Sequence, residues 1–212
     1  MIRAVIFDMD GVLTDSERLG DEPLIIAGQK QGYRFTHENI PSCKGMTFAA
    51  AAPIFEKAFP GIDALRLGDD FDHAMCDLAR AGGVPLMKGV REILDSLDER
   101  HMPRAVASSS RRFVIDTYLG AHGIERRFDA LISGELCKRS KPDPEVFLLA
   151  AQRLNTEPKD CLVIEDSANG VRAGRAAGMT VCMVPDQIPY TDALRAYCDY
   201  VKNDLLEVIP LL

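Results

Sequence analysis

Two hydrophobic patterns alternate along most of this chain. Short, continuous apolar runs predict buried strands, and apolar residues at helical spacing predict amphipathic helices. The run at residues 4–7 contains no polar side chain, which is typical of a strand covered on both faces of a parallel sheet. After Gly89 helices and strands alternate, with helices at 90–100, 112–121, 144–154 and 168–177 and strands at 104–107, 130–133, 161–164 and 180–184. This alternation predicts an α/β fold built on a parallel sheet.

Residues 16–85 differ from the rest of the chain because their pattern is helical throughout. The predicted helices span residues 17–31, 48–59 and 67–80, and prolines and glycines separate them. No convincing strand pattern is found in this part of the sequence. We therefore predict a catalytic core made of residues 1–15 and 86–212, interrupted by an all-helical domain of residues 16–85.

Composition and charge narrow the class of protein. The net charge is −7, and no basic cluster is longer than two residues, which argues against a nucleic-acid partner. No apolar run approaches the roughly 18 residues of a membrane span. The six cysteines form no C-x-x-C pair, which is typical of free thiols in a reducing compartment. We expect a cytoplasmic protein without a membrane partner, present as a monomer or weak dimer.

Two aspartates directly follow the first predicted strand. Side chains alternate along an extended chain, so Asp8 and Asp10 leave the strand on the same side, and Gly11 allows a sharp turn after them. Like charges about 4 Å apart repel by roughly 4 kcal/mol at an effective dielectric near 20, so such a pair tends to hold a cation or share a proton. The alternative is a solvated turn, because Asp and Gly are ordinary turn residues.

A serine cluster and a lysine are predicted near the same edge of the sheet. The strand at 104–107 leads into Ser108, Ser109 and Ser110, which open a helix whose free N–H groups suit a phosphate. These serines could instead serve only as a helix cap. Lys141 precedes a proline in a stiff loop and is either a fixed cation or part of a surface turn.

Two more acids follow the strand at 161–164. Glu165 and Asp166 would bring the number of carboxylates at this edge to four, unless Asp166 or Ser167 only caps the next helix. Carboxylate oxygens, completed by phosphate oxygens, are the ligands that Mg²⁺ prefers. An aspartate could then attack phosphorus, because the cation and Lys141 would neutralise the two anions as they meet.

The ordered motifs of this chain resemble those of the haloacid dehalogenase superfamily, in the branch of β-phosphoglucomutase and small sugar-phosphate phosphatases. The matching segments are Asp8-Met9-Asp10-Gly11-Val12-Leu13-Thr14-Asp15, Ser108, Lys141-Pro142 and Glu165-Asp166. The resemblance covers nearly the whole chain. It implies a Rossmann-like core with a helical cap domain.

The resemblance also implies a role for each catalytic residue. Asp8 matches the nucleophile that forms an aspartyl-phosphate, and Asp10 matches the general acid/base. Ser108 and Lys141 match the groups that hold the transferring phosphoryl group.

For the metal site, the resemblance implies Mg²⁺ bound by Asp8, Asp166 and the main-chain carbonyl of Asp10, with Glu165 as a second acid. It therefore implies a phosphoric monoester hydrolase that acts on a small phosphorylated metabolite, a sugar phosphate or a phospho-acid.

Substrate specificity is expected from the cap and from the serine cluster. Lys44, Gly45 and Thr47 precede a predicted cap helix, and with Ser109 they are the candidate substrate-binding residues. Lys44 could equally be a solvated loop lysine.

The alternative function is a phosphomutase of the β-phosphoglucomutase type. The mutase's cap histidine and cap arginine align with Gly20 and Phe48, so neither chemistry is present here. A phospho-accepting receiver domain is disfavoured because that fold has no helical insertion like residues 16–85. The sequence therefore favours hydrolysis.

Overall fold

A parallel β-sheet forms the centre of the computed structural model, which describes residues 1–41, 43 and 48–212. Its strands are β1 Ala4–Phe7, β2 Arg104–Ser108, β3 Ala130–Ser133, β4 Cys161–Glu165, β5 Thr180–Met183 and β6 Tyr200–Val201. Their order is β3-β2-β1-β4-β5-β6, and every neighbouring pair is parallel. The predicted α/β fold with a parallel sheet is confirmed. The sequence prediction missed β6, because a two-residue strand leaves no periodic pattern.

Seven α-helices are found among the described residues. They are α1 Asp21–Lys30, α2 Phe48–Ala58, α3 Ala64–Arg80, α4 Val90–Glu99, α5 Arg112–Ala121, α6 Glu145–Arg153 and α7 Ala168–Ala176. Short 3-10 helices lie at Glu17–Leu19, Glu125–Arg127, Gly134–Leu136, Pro158–Asp160, Asp192–Tyr197, Leu205–Glu207 and Ile209–Leu211. None of the helices in the described part of the chain has the length and apolar character needed to cross a membrane.

The first strand shows why the sheet is buried on both sides. All four residues of β1 are fully buried. Val5 and Phe7 belong to a hydrophobic cluster that includes residues of α4 and α5, whereas Ala4 and Ile6 belong to a cluster that includes residues of α6. Successive side chains point to opposite faces of a strand, so an uninterrupted apolar run is what a two-sided core requires.

The helices between β1 and α4 have a hydrophobic cluster of their own. It contains Leu24, Ala27, Phe35, Ala51, Phe55, Ile62 and Leu67, from α1 to α3 and the segments between them. No strand is found in this helical part, within the described residues 16–41, 43 and 48–85. The helical cap is therefore confirmed as an insertion into the sheet domain.

Two short segments join the cap to the core. Asp15 donates its N–H to the carbonyl of Pro85 (2.9 Å), and Met87 donates to the carbonyl of Leu13 (3.0 Å). Both crossings between core and cap are thus held side by side. The proposed boundaries, after residue 15 and before residue 86, stay a prediction and fall at this paired crossing.

The strand order changes direction between β1 and β4. From β1 the chain continues through β2 and β3 on one side, while β4, β5 and β6 lie on the other side. In open α/β sheets, ligands bind beyond the carboxyl ends of the strands at this kind of switch point. A ligand site is therefore expected among the residues that follow β1 and β4.

Candidate active site

Asp8 follows β1 at the switch point and is held beside β4. Its backbone N–H donates to the carbonyl of Ile164 (3.0 Å), and the strand register pairs Phe7 with Ile164. This register brings Asp8 next to the two acids that follow. The Asp8 residue is only 7% exposed, so its carboxylate depends on protein groups for stabilisation.

Lys141 supplies a positive charge directly to Asp8. Its Nζ donates to Asp8 Oδ1 (2.7 Å), to Glu165 Oε1 (2.8 Å) and to the carbonyl of Ala107 (3.1 Å). The ammonium also lies over the ring of Phe147, 4.7 Å from its centroid. All three donors of the ammonium are used, so the sequence-predicted fixed cation lies beside the predicted nucleophile.

Glu165 holds Lys141 from the second side. Its Oε2 accepts from the N–H of Ser167 (2.8 Å) and from Ser167 Oγ (2.9 Å), while Oε1 accepts from Lys141. A Cβ at Gly170 would lie 1.7 Å from Glu165 Oε1, so only glycine leaves room for this side chain. Both carboxylate oxygens of Glu165 accept hydrogen bonds, so its side chain is fixed beside Lys141, and its predicted role in holding a metal stays a prediction.

This close contact makes Gly170→Ala a sharp test of the arrangement. Alanine favours a helix over glycine by about 1 kcal/mol, but here its Cβ must displace Glu165 from Lys141 and Ser167. We expect the free energy of unfolding, measured by urea titration, to fall by roughly 1–3 kcal/mol. Gly120→Ala, on the exposed side of α5, is the matched control and should be neutral or stabilising. Equal stability of Gly170→Ala and the wild type would contradict this account of Glu165.

Asp166 is the second acid after β4 and lies against Gly11. A Cβ at Gly11 would lie 2.5 Å from Asp166 Oδ2, and Gly11 has a φ of +76°. Glycine is therefore required at position 11 for both space and backbone conformation. Asp166 is 5% exposed, and no described residue donates a hydrogen bond to its carboxylate. Of the two residues considered as the cap of α7, Ser167 is the one that caps it, since its Oγ accepts from the N–H of Gly170 (3.0 Å).

The cluster carries more negative than positive charge. Burial raises the pKa of Asp8 to about 7, although Lys141 acts in the opposite direction. Burial raises the pKa of Asp166 to about 10, and the charges of Glu165 and Asp8 add to this effect. The pKa of the Lys141 ammonium is also raised, since its two acidic partners outweigh the effect of burial.

The residues present fit a divalent metal ion. Carboxylate oxygens of Asp8, Glu165 and Asp166 lie within 4.8 Å of one another. Three carboxylates against one ammonium leave two negative charges to be balanced when all are ionised. A small, hard divalent cation such as Mg²⁺ prefers these oxygen ligands. Its charge would stabilise the carboxylate of Asp166 most, because no described residue donates a hydrogen bond to that side chain.

Asp10 lies further out and has a different environment. Ser16 Oγ donates to Asp10 Oδ1 (2.5 Å), and Ser110 Oγ donates to Asp10 Oδ2 (2.9 Å). The residue is partly exposed, and its charge helps to raise the pKa of Asp8. A carboxyl group near the buried aspartate, held by hydroxyl groups and open to one side, is suited to exchange a proton with a bound molecule.

The serine cluster after β2 does not cap the next helix. The N-cap position of α5 is Arg111, which makes no side-chain cap hydrogen bond, so the alternative of a serine cap is wrong. Ser108 is buried at the end of β2, and its Oγ accepts from the N–H of Ser110 (3.0 Å). Ser109 is exposed. Ser108 thus lies at the carboxyl edge of β2, the neighbour of β1, and its role in holding a phosphoryl group stays a prediction.

Arg111 connects the core to the cap. Its Nε bonds to Asp72 Oδ2 (2.6 Å) on α3, and its guanidinium also bonds to Asp69 of the same helix. Burial raises the pKa of Asp72, against the opposing effect of Arg111. Sequence reasoning left Ser110 and Arg111 without roles and did not identify Ser16. Only the position of the serines after a strand hinted at Ser110, and nothing local indicated the contact between Arg111 and α3.

The remaining sequence-predicted site residues belong to the cap. Lys44, Gly45 and Thr47 lie outside the described residues, so their substrate-binding role stays a prediction. Phe48, where the mutase has its arginine, begins α2 and stacks on Phe55 with ring centroids 5.6 Å apart. That position therefore contributes to the cap's hydrophobic cluster.

Comparisons with known proteins find similar proteins over most of this chain. Residues 2–178 match the family of haloacid dehalogenase-like hydrolases. A phosphorylated carbohydrates phosphatase of Thermotoga maritima is 33% identical over 181 residues, covering 84% of this chain and 82% of that protein. Hexitol phosphatase B of Escherichia coli is 30% identical over 213 residues, and the alignment covers 98% of this chain and 94% of that protein.

A solved structure supports the fold. The β-phosphoglucomutase of Clostridium difficile superimposes with a TM-score of 0.79 at 24% identity, over 98% of this chain and 93% of that one. The resemblance drawn from the motifs and the prediction of a hydrolytic enzyme are confirmed at the level of the family. The chain belongs to the haloacid dehalogenase-like hydrolases.

Proposed function

We propose that this protein is a Mg²⁺-dependent phosphatase that hydrolyses a small phosphorylated metabolite through an aspartyl-phosphate on Asp8. The observation that carries the proposal is the position of the Lys141 ammonium, 2.7 Å from Asp8 and 2.8 Å from Glu165, beside the buried Asp166. Such a cluster neutralises a nucleophilic carboxylate and leaves one acid available for a cation. The phosphatase names of the two relatives agree with this chemistry.

In the first step, a carboxylate oxygen of Asp8 bonds to phosphorus as the bond from phosphorus to the leaving oxygen breaks. Asp10 gives its proton to that oxygen, so the product leaves as an alcohol. Lys141 stabilises the charge that gathers on the phosphoryl group, and the hydroxyl of Ser108 is the proposed donor to a phosphoryl oxygen.

In the second step, Asp10 takes a proton from water as the water oxygen bonds to phosphorus. The bond between Asp8 and phosphorus breaks, which releases phosphate and restores both carboxyl groups. The cap is proposed to limit the access of other water molecules while the substrate is bound.

Mg²⁺ would be held by Asp8, Asp166 and the main-chain carbonyl of Asp10, with Glu165 nearby. When bound, it supplies positive charge that neutralises the nucleophile and the phosphate. The carboxylates themselves remain responsible for attack and proton transfer.

The metal site predicts an unusual dependence of stability on pH. A carboxyl group whose pKa is higher in the folded than in the unfolded state stabilises the fold only while protonated. Because the pKa values of Asp8 and Asp166 are raised to about 7 and about 10, the melting temperature of metal-free protein should fall between about pH 5 and pH 9. Mg²⁺ should raise the melting temperature more at the higher pH, because it compensates the ionised carboxylates.

Thermal melts in chelator and in excess Mg²⁺ measure this effect without relying on activity. Asp166→Asn should lose most of the Mg²⁺-dependent shift, whereas Asp77→Asn, on the exposed face of α3, should retain it. A Mg²⁺ shift that is equal in Asp166→Asn and the wild type would remove Asp166 from the metal site.

The proposed substrate is a sugar phosphate or a related phospho-acid, and the proposed compartment is the cytoplasm. The names of the two relatives, a phosphorylated carbohydrates phosphatase and a hexitol phosphatase, support the first part. All six cysteines are free, as expected in a reducing compartment. A monomer or weak dimer, with no nucleic-acid or membrane partner, stays a prediction.

The test is a screen of phosphorylated metabolites for release of inorganic phosphate, with and without Mg²⁺. Each compound is also analysed for positional isomers of the sugar phosphate. Phosphate release that requires Mg²⁺ would support the proposal. Isomer formation without phosphate release would favour the phosphomutase instead, and activity unaffected by chelator would contradict the metal requirement.

A further inference from the structure

The side chain of Asp10 is held by two hydroxyl groups from different parts of the chain. Ser16, at the crossing into the cap, donates to Oδ1, and Ser110, after β2, donates to Oδ2. Each carboxylate oxygen thus has its own donor, and rotation of the carboxyl group would break both contacts. Ser110 and Asp10 are one hundred residues apart, so only the fold brings this pair together.

Ser110 is itself held through both ends of its backbone. Its N–H donates to Ser108 Oγ (3.0 Å), and its carbonyl accepts from Ser133 Oγ (2.8 Å). Ser108 ends β2 and Ser133 ends β3, and both are 1% exposed. The hydroxyl of Ser110 is therefore presented to Asp10 from a rigid strand edge rather than from a free loop.

The next residue ties this loop to the cap. Arg111 bonds to Asp72 and Asp69 on α3, and its guanidinium lies over Phe113, 5.1 Å from the ring centroid. Ser110 thus lies between the strand ends of the core and a helix of the cap. The contacts of Arg111 with α3 therefore directly follow the residue whose hydroxyl donates to Asp10.

We infer that Ser110 is a positioning residue that fixes the carboxyl group of Asp10 for proton transfer to the leaving oxygen. The inference rests on the proposed function and goes beyond it, since that function requires Asp10 but not its support. A misplaced acid loses catalytic power steeply, because a shift of about 1 Å can cost on the order of 100-fold in rate.

The role predicts a dependence on the leaving group. An alkoxide leaving from a sugar phosphate needs a proton from Asp10, whereas p-nitrophenolate leaves from p-nitrophenyl phosphate without one. For both compounds, kcat/KM reports the steps up to transfer of the phosphoryl group to Asp8. Ser110→Ala should therefore lower kcat/KM for the sugar phosphate by roughly 10- to 100-fold, through kcat, and change that for p-nitrophenyl phosphate by less than about threefold.

Two further variants separate positioning from folding. Ser110→Thr keeps the hydroxyl and should recover most of the rate on the sugar phosphate. Ser96→Ala, on α4, removes a hydroxyl that accepts one hydrogen bond from Arg100 just after that helix, and should leave both rates unchanged. Thermal melts of all variants show whether the Ser110→Ala protein is folded.

The outcomes distinguish this inference from the proposed function. A wild-type protein that releases phosphate from neither compound contradicts the proposed function, and the inference with it. A wild type that is active on both, with equal losses or no loss in Ser110→Ala, contradicts the positioning role alone. An effect confined to KM would also overturn it, since it would indicate that Ser110 binds substrate.

Discussion

Asp8→Asn is expected to abolish phosphate release, with a loss on the order of 10⁴-fold or more, as for other enzymes that lose a covalent nucleophile. Asparagine keeps the shape of the side chain but cannot form the acyl phosphate. Lys141 retains its bond to Glu165, so the fold should persist. The rate is measured as inorganic phosphate released from the best substrate of the screen, in excess Mg²⁺.

Stability provides an independent readout for this variant. Burial makes the charged form of Asp8 unfavourable, with its pKa raised to about 7, so removing the charge should not lower the melting temperature of the metal-free protein. Asp116→Asn, which alters an exposed ion pair with Arg112 on α5, controls for loss of a surface aspartate and should keep full activity. The expected loss of phosphate release in Asp8→Asn is about 10⁴-fold. A loss of less than about tenfold would mean that the nucleophile is misassigned.

Lys141→Met should cost both activity and stability. The change keeps an apolar stem of similar length but leaves the buried carboxylates of Asp8 and Glu165 without their cation. Removing one partner of a buried ion pair typically costs about 3–5 kcal/mol, so a comparable fall in the free energy of unfolding is expected near neutral pH. Phosphate release should also fall by on the order of 100-fold or more, because the charge beside the phosphoryl group is lost.

The stability loss should itself depend on pH. At lower pH the carboxyl groups left without Lys141 take up protons, so the difference between variant and wild type should shrink toward pH 5 or so. Urea titrations at two pH values measure this change. Lys159→Met, an exposed position just before β4 at the opposite end of the sheet, is the matched control and should be neutral. A Lys141→Met protein as stable as that control would show that the buried ion pairs contribute little.

The strands and helices could largely be predicted from the sequence because each depends on local periodicity. The segments at 4–7, 112–121 and 130–133 agree with β1, α5 and β3 residue by residue. The helix predicted at 17–31 begins four residues before α1, and the other predicted elements differ by up to three residues at their ends. Hydrophobic spacing reports which side of an element is buried, and that information lies within a few residues of chain. β6 was missed because Tyr200–Val201 gains its strand conformation from pairing with β5.

The residues of the candidate site could be predicted from the sequence, but the contacts between their side chains could not. Asp8, Lys141 and Asp166 follow or flank predicted strands, and the parallel sheet brings strand ends to one edge. The sequence left open whether the serines cap a helix and what Ser110 does, and it did not indicate the contact between Glu165 and Lys141.

The sequence by itself determined the parallel sheet, the helical insertion and the set of acidic, hydroxyl and basic residues available for chemistry. Only the tertiary structure decided that Lys141 lies between Asp8 and Glu165, that Asp166 lacks a donor among the described residues, and that Ser110 supports Asp10. The physical reason is distance along the chain. Periodicity acts between near neighbours, whereas hydrogen bonds and ion pairs across 100 or more residues depend on strand register and helix packing.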